Sequence, residues 1–214
     1  MQPDRHRREL LPMRSPPLTM NSVQDILRHE AQAVLSIPVD NPFDPCVKQF
    51  LGSAKLGGKV VVSGVGKAGG VGAKIATTLC SVGVPSLFLH PLEAQHGDLG
   101  VLGPHDCLLL ISNSGKTREV IELTHLARRI FPDIHVSTIT GKKDSELAEA
   151  SEFVLWTGDP LEVCPLGLAP TTSTTVMSVI GDVLVARAVH LGGFTRTDYS
   201  MRHHGGYLGH VSKR

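Results

Sequence analysis

Aromatic side chains are scarce in this 214-residue chain: phenylalanine, tyrosine and tryptophan together make up 4% of it. Few platforms are therefore present on which nucleobases could stack, and a formal net charge of +1 offers no basic footprint for a phosphate backbone. Nucleic acid is not an expected partner. Cysteine is sparse too. Cys46, Cys80, Cys107 and Cys164 lie far apart with no Cys-x-x-Cys pair, which fits a reducing cytoplasm, and Cys80 and Cys107 sit in apolar segments where a free thiol serves as a small hydrophobe. No uninterrupted apolar stretch reaches the roughly 18 residues of a membrane span, and the N-terminus lacks the apolar core of a signal peptide. These absences point to a cytoplasmic protein with no membrane partner, acting on small molecules.

The length suits one sizeable core. Residues 1–20 carry four arginines and four prolines without any period and read as a disordered lead-in, so a single domain is expected over residues 21–214. Ser22 fits an N-cap with Asp25 three residues on, opening one helix; residues 38–45 read as a loop, and residues 47–56 as a second helix. From there strands and helices alternate. Strands are expected at residues 59–63, 85–89, 106–111, 134–139 and 153–156, with helices after residue 71 and over 116–131, 144–150 and 173–191. Such alternation predicts an α/β fold, a five-stranded parallel sheet flanked by helices; taken as a doubly wound, flavodoxin-like sheet ordered 2-1-3-4-5, it has its ligand beyond the carboxyl ends of strands 1 and 3. The last helix is apolar round most of its circumference and must be buried in the core or complete a subunit interface, with Asp182 a paired structural acid.

Two turns fall at that crevice. Residues 112–119 (SNSGKTRE) break out of an apolar run and lead into an amphipathic helix. Gly115 permits the tight turn, while Ser112, Ser114 and Thr117 add hydroxyls to the amides at the helix start, an arrangement suited to an anion or to a capped turn. Residues 64–70 (GVGKAGG) match the letters of the dinucleotide fingerprint, but the next strand ends in His90 and Pro91 where a ribose-binding acid belongs. The phosphate-binding P-loop fails as well, with Val61 in place of its first glycine and Ala68 where a hydroxyl should follow Lys67. No nucleotide or other cofactor is expected.

Three further stretches hold polar groups needing a reason. Residues 93–100 (EAQHGDLG) place His96 in a crevice loop, residues 162–175 (EVCPLGLAPTTSTT) set Glu162 before a run of hydroxyls at a helix start, and residues 202–209 (RHHGGYLG) put His203 and His204 before glycines. Each has a plain alternative: a hydrogen-bonded histidine, a solvated acid, a helix cap. Adjacent histidines seldom ligate one ion and no His-x-His or His-x-x-x-His spacing appears, so no metal is expected.

Taken together, these motifs resemble the sugar isomerase (SIS) domain family, and within it the arabinose-5-phosphate isomerases that feed Kdo synthesis for lipopolysaccharide. The similarity runs from Gly64, Gly66 and Lys67 through residues 90–100, 111–115, Glu119, 139–141, 164–171 and 173–175 to His203, Gly205 and Gly206. The resemblance implies that Lys67, His96, Glu119, Glu162 and His203 are active-site residues. It also implies that Ser63, Gly64, Gly66, Ser112, Ser114, Thr117, Thr171, Thr172, Ser173 and Thr174 form the phosphosugar-binding elements. Family members are usually tetramers whose active sites borrow side chains from neighbours, so a homotetramer with shared sites is implied. Two departures from the family pattern are expected: no pair of C-terminal CBS modules, and His204 and Tyr207 in place of the usual proline and alanine.

Aldose-ketose isomerisation opens the sugar ring and moves a proton between C1 and C2 through an enediol. Glu162 or Glu119 is expected to shuttle that proton with its basicity raised by burial, His96 and His203 to assist ring opening and oxygen proton transfers, and Lys67 to stabilise the enediolate or the phosphate. The leading substrate pair is D-ribulose 5-phosphate and D-arabinose 5-phosphate. A hexulose or heptulose phosphate, or a non-catalytic phosphosugar sensor, are the alternatives, the latter disfavoured because no DNA-reading helix pair precedes the domain.

Overall fold

A computed structural model describes residues 22–203. The lead-in over residues 1–20, and the expected roles of His204, Gly205, Gly206 and Tyr207, lie outside the described residues. Helix α1 (Val23–Leu35) opens as the sequence predicts, the Ser22 hydroxyl accepting the Asp25 N–H at 3.1 Å. Helix α2 (Phe43–Lys55) starts four residues earlier than expected because Pro45 lies in its first turn, where a missing N–H has no intrahelical partner to lose.

The sheet comprises β1 (Val60–Gly64), β2 (Ser86–Phe88), β3 (Cys107–Ile111), β4 (His135–Thr140) and β5 (Phe153–Trp156). All pairings are parallel, as the alternation predicts, and the order is β2-β1-β3-β4-β5, that of a doubly wound, flavodoxin-like sheet. Period-two alternation splits each strand between two layers. Val60, Val62, Leu109 and Ile111 face one cluster, built with α2, α3 (Gly66–Ser81) and α7 (Thr172–Gly192). Val61, Leu108, Leu110 and Val136 face the other, closed by α4 (Pro91–Gln95), α5 (Arg118–Ile130) and α6 (Glu146–Glu149).

The glycine turn has a packing reason. A Cβ on Gly69 would meet the Gly64 carbonyl oxygen at 2.7 Å, and one on Gly72 would meet the Phe88 ring at 3.2 Å. Glycine lets α3 lie directly on β1 and β2, and α3 starts at Gly66, well before Val71.

Several details differ from expectation. Cys107 and Cys46 are buried, with their thiols pushed up to about 12 by burial, but Cys80 is exposed and its thiol donates to the Ser86 carbonyl, so it is no core hydrophobe. In the single chain helix α7 buries one face, with Val176, Met177, Ile180, Leu184 and Ala188 in the core, whereas Val179, Val183 and Val185 are half-covered and Ala186 is exposed, the face expected either in the core or at a subunit interface. This helix is long and apolar enough to cross a membrane, yet its buried face packs on α2 and α3. Asp182 on its outer side pairs with Lys74, as a structural acid should. Helix α8 (Arg196–Arg202) adds to the expected elements; Thr195 and Asp198 form a capping box at its start.

Candidate active site

The register of β1 and β3 sets Gly64 beside Ile111, so the two chains leave the sheet together at their carboxyl ends. There they enclose a cleft of about 260 Å³. That volume lies just under the about 300 Å³ at which pockets for drug-sized ligands begin, and it suits a small metabolite. A roomier hollow of about 400 Å³ lies at the opposite ends of the strands, beside Ser53, His105 and Asp106. Asp106 there is already satisfied by the Lys59 ammonium at 2.7 Å and by the backbone N–H groups of Lys59 and Gly103. The carboxyl-end cleft, by contrast, keeps polar groups open.

Its floor is the 112–117 loop. Ser112 is buried; its hydroxyl pairs with that of Thr117 at 2.7 Å and accepts the Gly115 N–H at 3.1 Å, so this side chain shapes the loop. Gly115 has φ +62°, and a Cβ there would collide with the Ser145 hydroxyl at 1.9 Å. Glycine is required twice over, by conformation and by space. Ser114 is exposed and accepts only the Lys116 N–H, leaving its own proton without an acceptor among the described residues. Thr117, the N-cap of α5, borders the cleft and makes no side-chain capping bond among the described residues, which sets the positive end of that helix beside the cleft. Helix α3 likewise has no side-chain cap, and exposed Lys67 in its first turn lines the same space.

The roof is Glu162 with the start of α7. Glu162 is 8% exposed. One carboxylate oxygen accepts the Thr171 N–H at 2.8 Å, the Thr171 hydroxyl at 3.0 Å and the Ser173 N–H at 3.2 Å; the other accepts the Ser173 hydroxyl. Burial pushes this carboxyl up, but the hydrogen bonds from Ser173 and Thr171 outweigh it and hold the group below its usual range. The expected rise in basicity through burial is therefore corrected: the surrounding donors stabilise the anion more than burial disfavours it. The Thr171–Thr174 hydroxyls largely turn inward as well. Thr172 donates to Glu30 and Thr174 to the Thr171 carbonyl, although Ser173 and Thr174 still border the cleft.

Of the five expected catalytic side chains, Lys67 and Glu162 line this cleft in the single chain. Glu119 is half-buried in the first turn of α5, outside the lining. His96 is exposed at the end of α4, and His203 caps α8 with its ring stacked on Tyr199 at 3.8 Å. Among the expected binding residues, Ser112, Ser114, Thr117, Ser173 and Thr174 border the cleft, while the Ser63 hydroxyl donates to the Leu89 carbonyl at 2.6 Å and ties β1 to the chain leaving β2. Gly64 is buried in β1, and Gly66 opens α3 with φ +62°. Sequence reasoning missed Asn113 and the apolar wall of Val65, Leu168, Pro170 and Met177. The position of Met177, one helical turn after Ser173, could have signalled part of that wall. Among the described residues no three histidine, cysteine or acidic side chains gather as metal ligands would.

The family model described as the SIS domain matches residues 56–187. Arabinose 5-phosphate isomerase KdsD of Pseudomonas aeruginosa is 48% identical over 152 residues, covering 71% of this chain and 46% of that relative. The chain thus spans about half the length of the curated relatives it matches. A crystal structure from Bacteroides fragilis, of a candidate phosphosugar isomerase involved in capsule formation, superposes with a TM-score of 0.85 at 55% identity, over 86% of this chain and 97% of that one. The Escherichia coli CFT073 protein c3406, solved in complex with arabinose 5-phosphate, gives a TM-score of 0.74 at 34% identity, over 83% of this chain and 93% of that one.

Proposed function

Because the chain belongs to the SIS domain family, we propose that it is an aldose-ketose isomerase of sugar phosphates that interconverts D-ribulose 5-phosphate and D-arabinose 5-phosphate. The observation that carries this reading is the pairing, across one cleft, of an open anion cradle at residues 112–117 with a buried, ionised carboxylate at Glu162. The KdsD name of the relatives and the arabinose 5-phosphate bound to c3406 support the five-carbon sugar.

In this reading the phosphate sits on the Ser114 hydroxyl and the amides at the start of α5, with Lys67 within the same wall. Glu162, ionised at neutral pH, removes the proton from C2 of the open-chain aldose. The electron pair forms the C1–C2 double bond of the enediol as the C1 carbonyl oxygen takes up a proton. Return of the carbon-bound proton to C1, with loss of the O2 proton, gives the ketose. Lys67 offsets charge on the developing enediolate or on the phosphate. Glu119 is the other candidate for the carbon-bound proton, and His96 and His203 would serve ring opening and the oxygen proton transfers. Those three side chains lie outside the single-chain cleft, which favours a homotetramer in which neighbours complete each site; the half-covered outer face of α7 offers apolar surface for such an assembly.

Incubation of the pure protein with D-ribulose 5-phosphate, followed by NMR, tests the reading. Arabinose 5-phosphate should accumulate to a fixed ratio, with solvent deuterium entering the sugar at the carbon that exchanges its proton. Turnover only of a hexulose or heptulose phosphate would change the substrate, and binding without turnover would make the chain a sensor.

A further inference from the structure

Helix α1 lies before the matched SIS segment, and two of its consecutive side chains bear on the peptide that carries Glu162, His29 directly and Glu30 through the Thr172 hydroxyl. The His29 ring nitrogen Nε2 is 2.8 Å from the Leu161 carbonyl, which can only accept, so this nitrogen bears a proton and donates. On the other side of Glu162, the Val163 N–H donates to the Thr172 hydroxyl at 3.1 Å, and that hydroxyl donates onward to the Glu30 carboxylate at 2.9 Å. Thr172 is fully buried, and the second oxygen of Glu30 is buried with no hydrogen-bond partner among the described residues. A buried carboxylate oxygen without a donor costs free energy, so the contact that Glu30 does make holds an otherwise unfavourable group in place.

We propose that Glu30, acting through Thr172, and His29 are positioning residues for Glu162, clamping the backbone on both sides of it so that its carboxylate meets the donors at the start of α7. The chain of donation has one direction. With Glu30 accepting its proton, the Thr172 hydroxyl must turn a lone pair to Val163, and the peptide after Glu162 is fixed. Without Glu30 the hydroxyl is free to rotate, the Val163 N–H loses its oriented acceptor, and Glu162 can drift from Thr171 and Ser173. This inference rests on the role given to Glu162 in the proposed reaction.

The test compares Glu30→Ala, Glu30→Gln, Thr172→Val and Glu162→Gln in the full chain. Two quantities are read: kcat and KM for D-ribulose 5-phosphate, and the titration of the Glu162 carboxyl followed by carbon NMR. Glu30→Ala and Thr172→Val should lower kcat by about 10- to 100-fold, the range typical of lost supporting hydrogen bonds, with KM within about 2-fold because the 112–117 loop is untouched. Loss of donors should move the Glu162 titration, and the acid limb of kcat with it, to higher pH. Glu30→Gln retains an acceptor oxygen and should restore most of kcat and most of the titration midpoint. If Glu30→Ala does not fold, Thr172→Val and Glu30→Gln carry the same comparison. A melting temperature that falls while kcat per folded molecule and the Glu162 titration stay at wild-type values would overturn the proposal. Wild-type turnover in Glu162→Gln would instead overturn the role of Glu162 in the reaction, leaving the titration result to judge the clamp.

Discussion

Two hydroxyl-rich helix starts face each other across the cleft, and they use their hydroxyls in opposite ways. Among the described residues the N-cap Thr117 of α5 makes no capping bond and the Ser114 proton has no acceptor, so in the proposed reading the positive end of that helix takes the substrate's anion. At α7 the same kinds of group converge on a carboxylate from the chain itself: Thr171 and Ser173 give Glu162 four hydrogen bonds through two amides and two hydroxyls. The difference is one acid in the preceding segment. An anion belongs at a helix N-terminus, and whether the protein or the substrate supplies it decides if the start is a binding site or a mount for a functional group.

The sharpest way to break that comparison is to remove the built-in anion. Glu162→Gln should lower kcat by about 10²- to 10⁴-fold, the range expected for loss of a general base, while KM for the phosphosugar changes little. Steady-state kinetics check this, and near-wild-type kcat would give the proton shuttle to another group such as Glu119. Next in size is the backbone of the open start. Gly115→Ala forces a left-handed residue, costing about 1–2 kcal/mol, and adds the collision with Ser145. Urea unfolding should show a loss above about 2 kcal/mol, with KM raised in whatever protein remains folded.

The two starts are not equally legible in the sequence. The parallel strands follow from the alternation of apolar runs with helices, and the 112–117 loop from local signals: Gly115, clustered hydroxyls and the spacing of Val120, Leu123 and Ala127. The inward turn of Thr171 and Ser173 does not, because a run of hydroxyls reads alike whether it faces substrate or a neighbouring acid. The direction of the Glu162 shift is hidden for the same reason; burial can be guessed from sequence, whereas four converging donors exist only in the folded backbone. Ser63, expected to touch substrate, bonds the Leu89 carbonyl across the β1–β2 boundary, a long-range contact with no sequence period. Cys80 shows the converse error, since its apolar neighbours sit on the inner side of α3 while its own position faces out. Helix α1, finally, carries no catalytic motif, and the reach of Glu30 to Thr172 spans 142 positions.

A smaller effect belongs to the free hydroxyl of the open start. Ser114→Ala deletes one donor to the phosphate, worth about 1 kcal/mol, and should raise KM by about 5-fold with kcat nearly unchanged. An unchanged KM would move the phosphate off this loop. The corresponding change at α7, Ser173→Ala, should instead act on kcat and on the acid limb, so the pair of variants separates the two helix starts by the parameter each one moves.

The smallest effect concerns stability against pH. The Glu162 carboxyl is held below its usual value of 4.5 in the folded protein. A depressed carboxyl stabilises the fold above its unfolded pKa, and that contribution disappears as pH falls through the folded pKa. The difference in urea midpoint between wild type and Glu162→Gln should therefore be flat above about pH 6 and should shift against wild type as the pH drops below about 4.5. Other acids titrate in both proteins and cancel in the difference. A gap that stays flat to the onset of acid unfolding would mean that Thr171 and Ser173 do not hold the anion in solution. The α7 start would then be as open as that of α5, with its hydroxyls free for substrate.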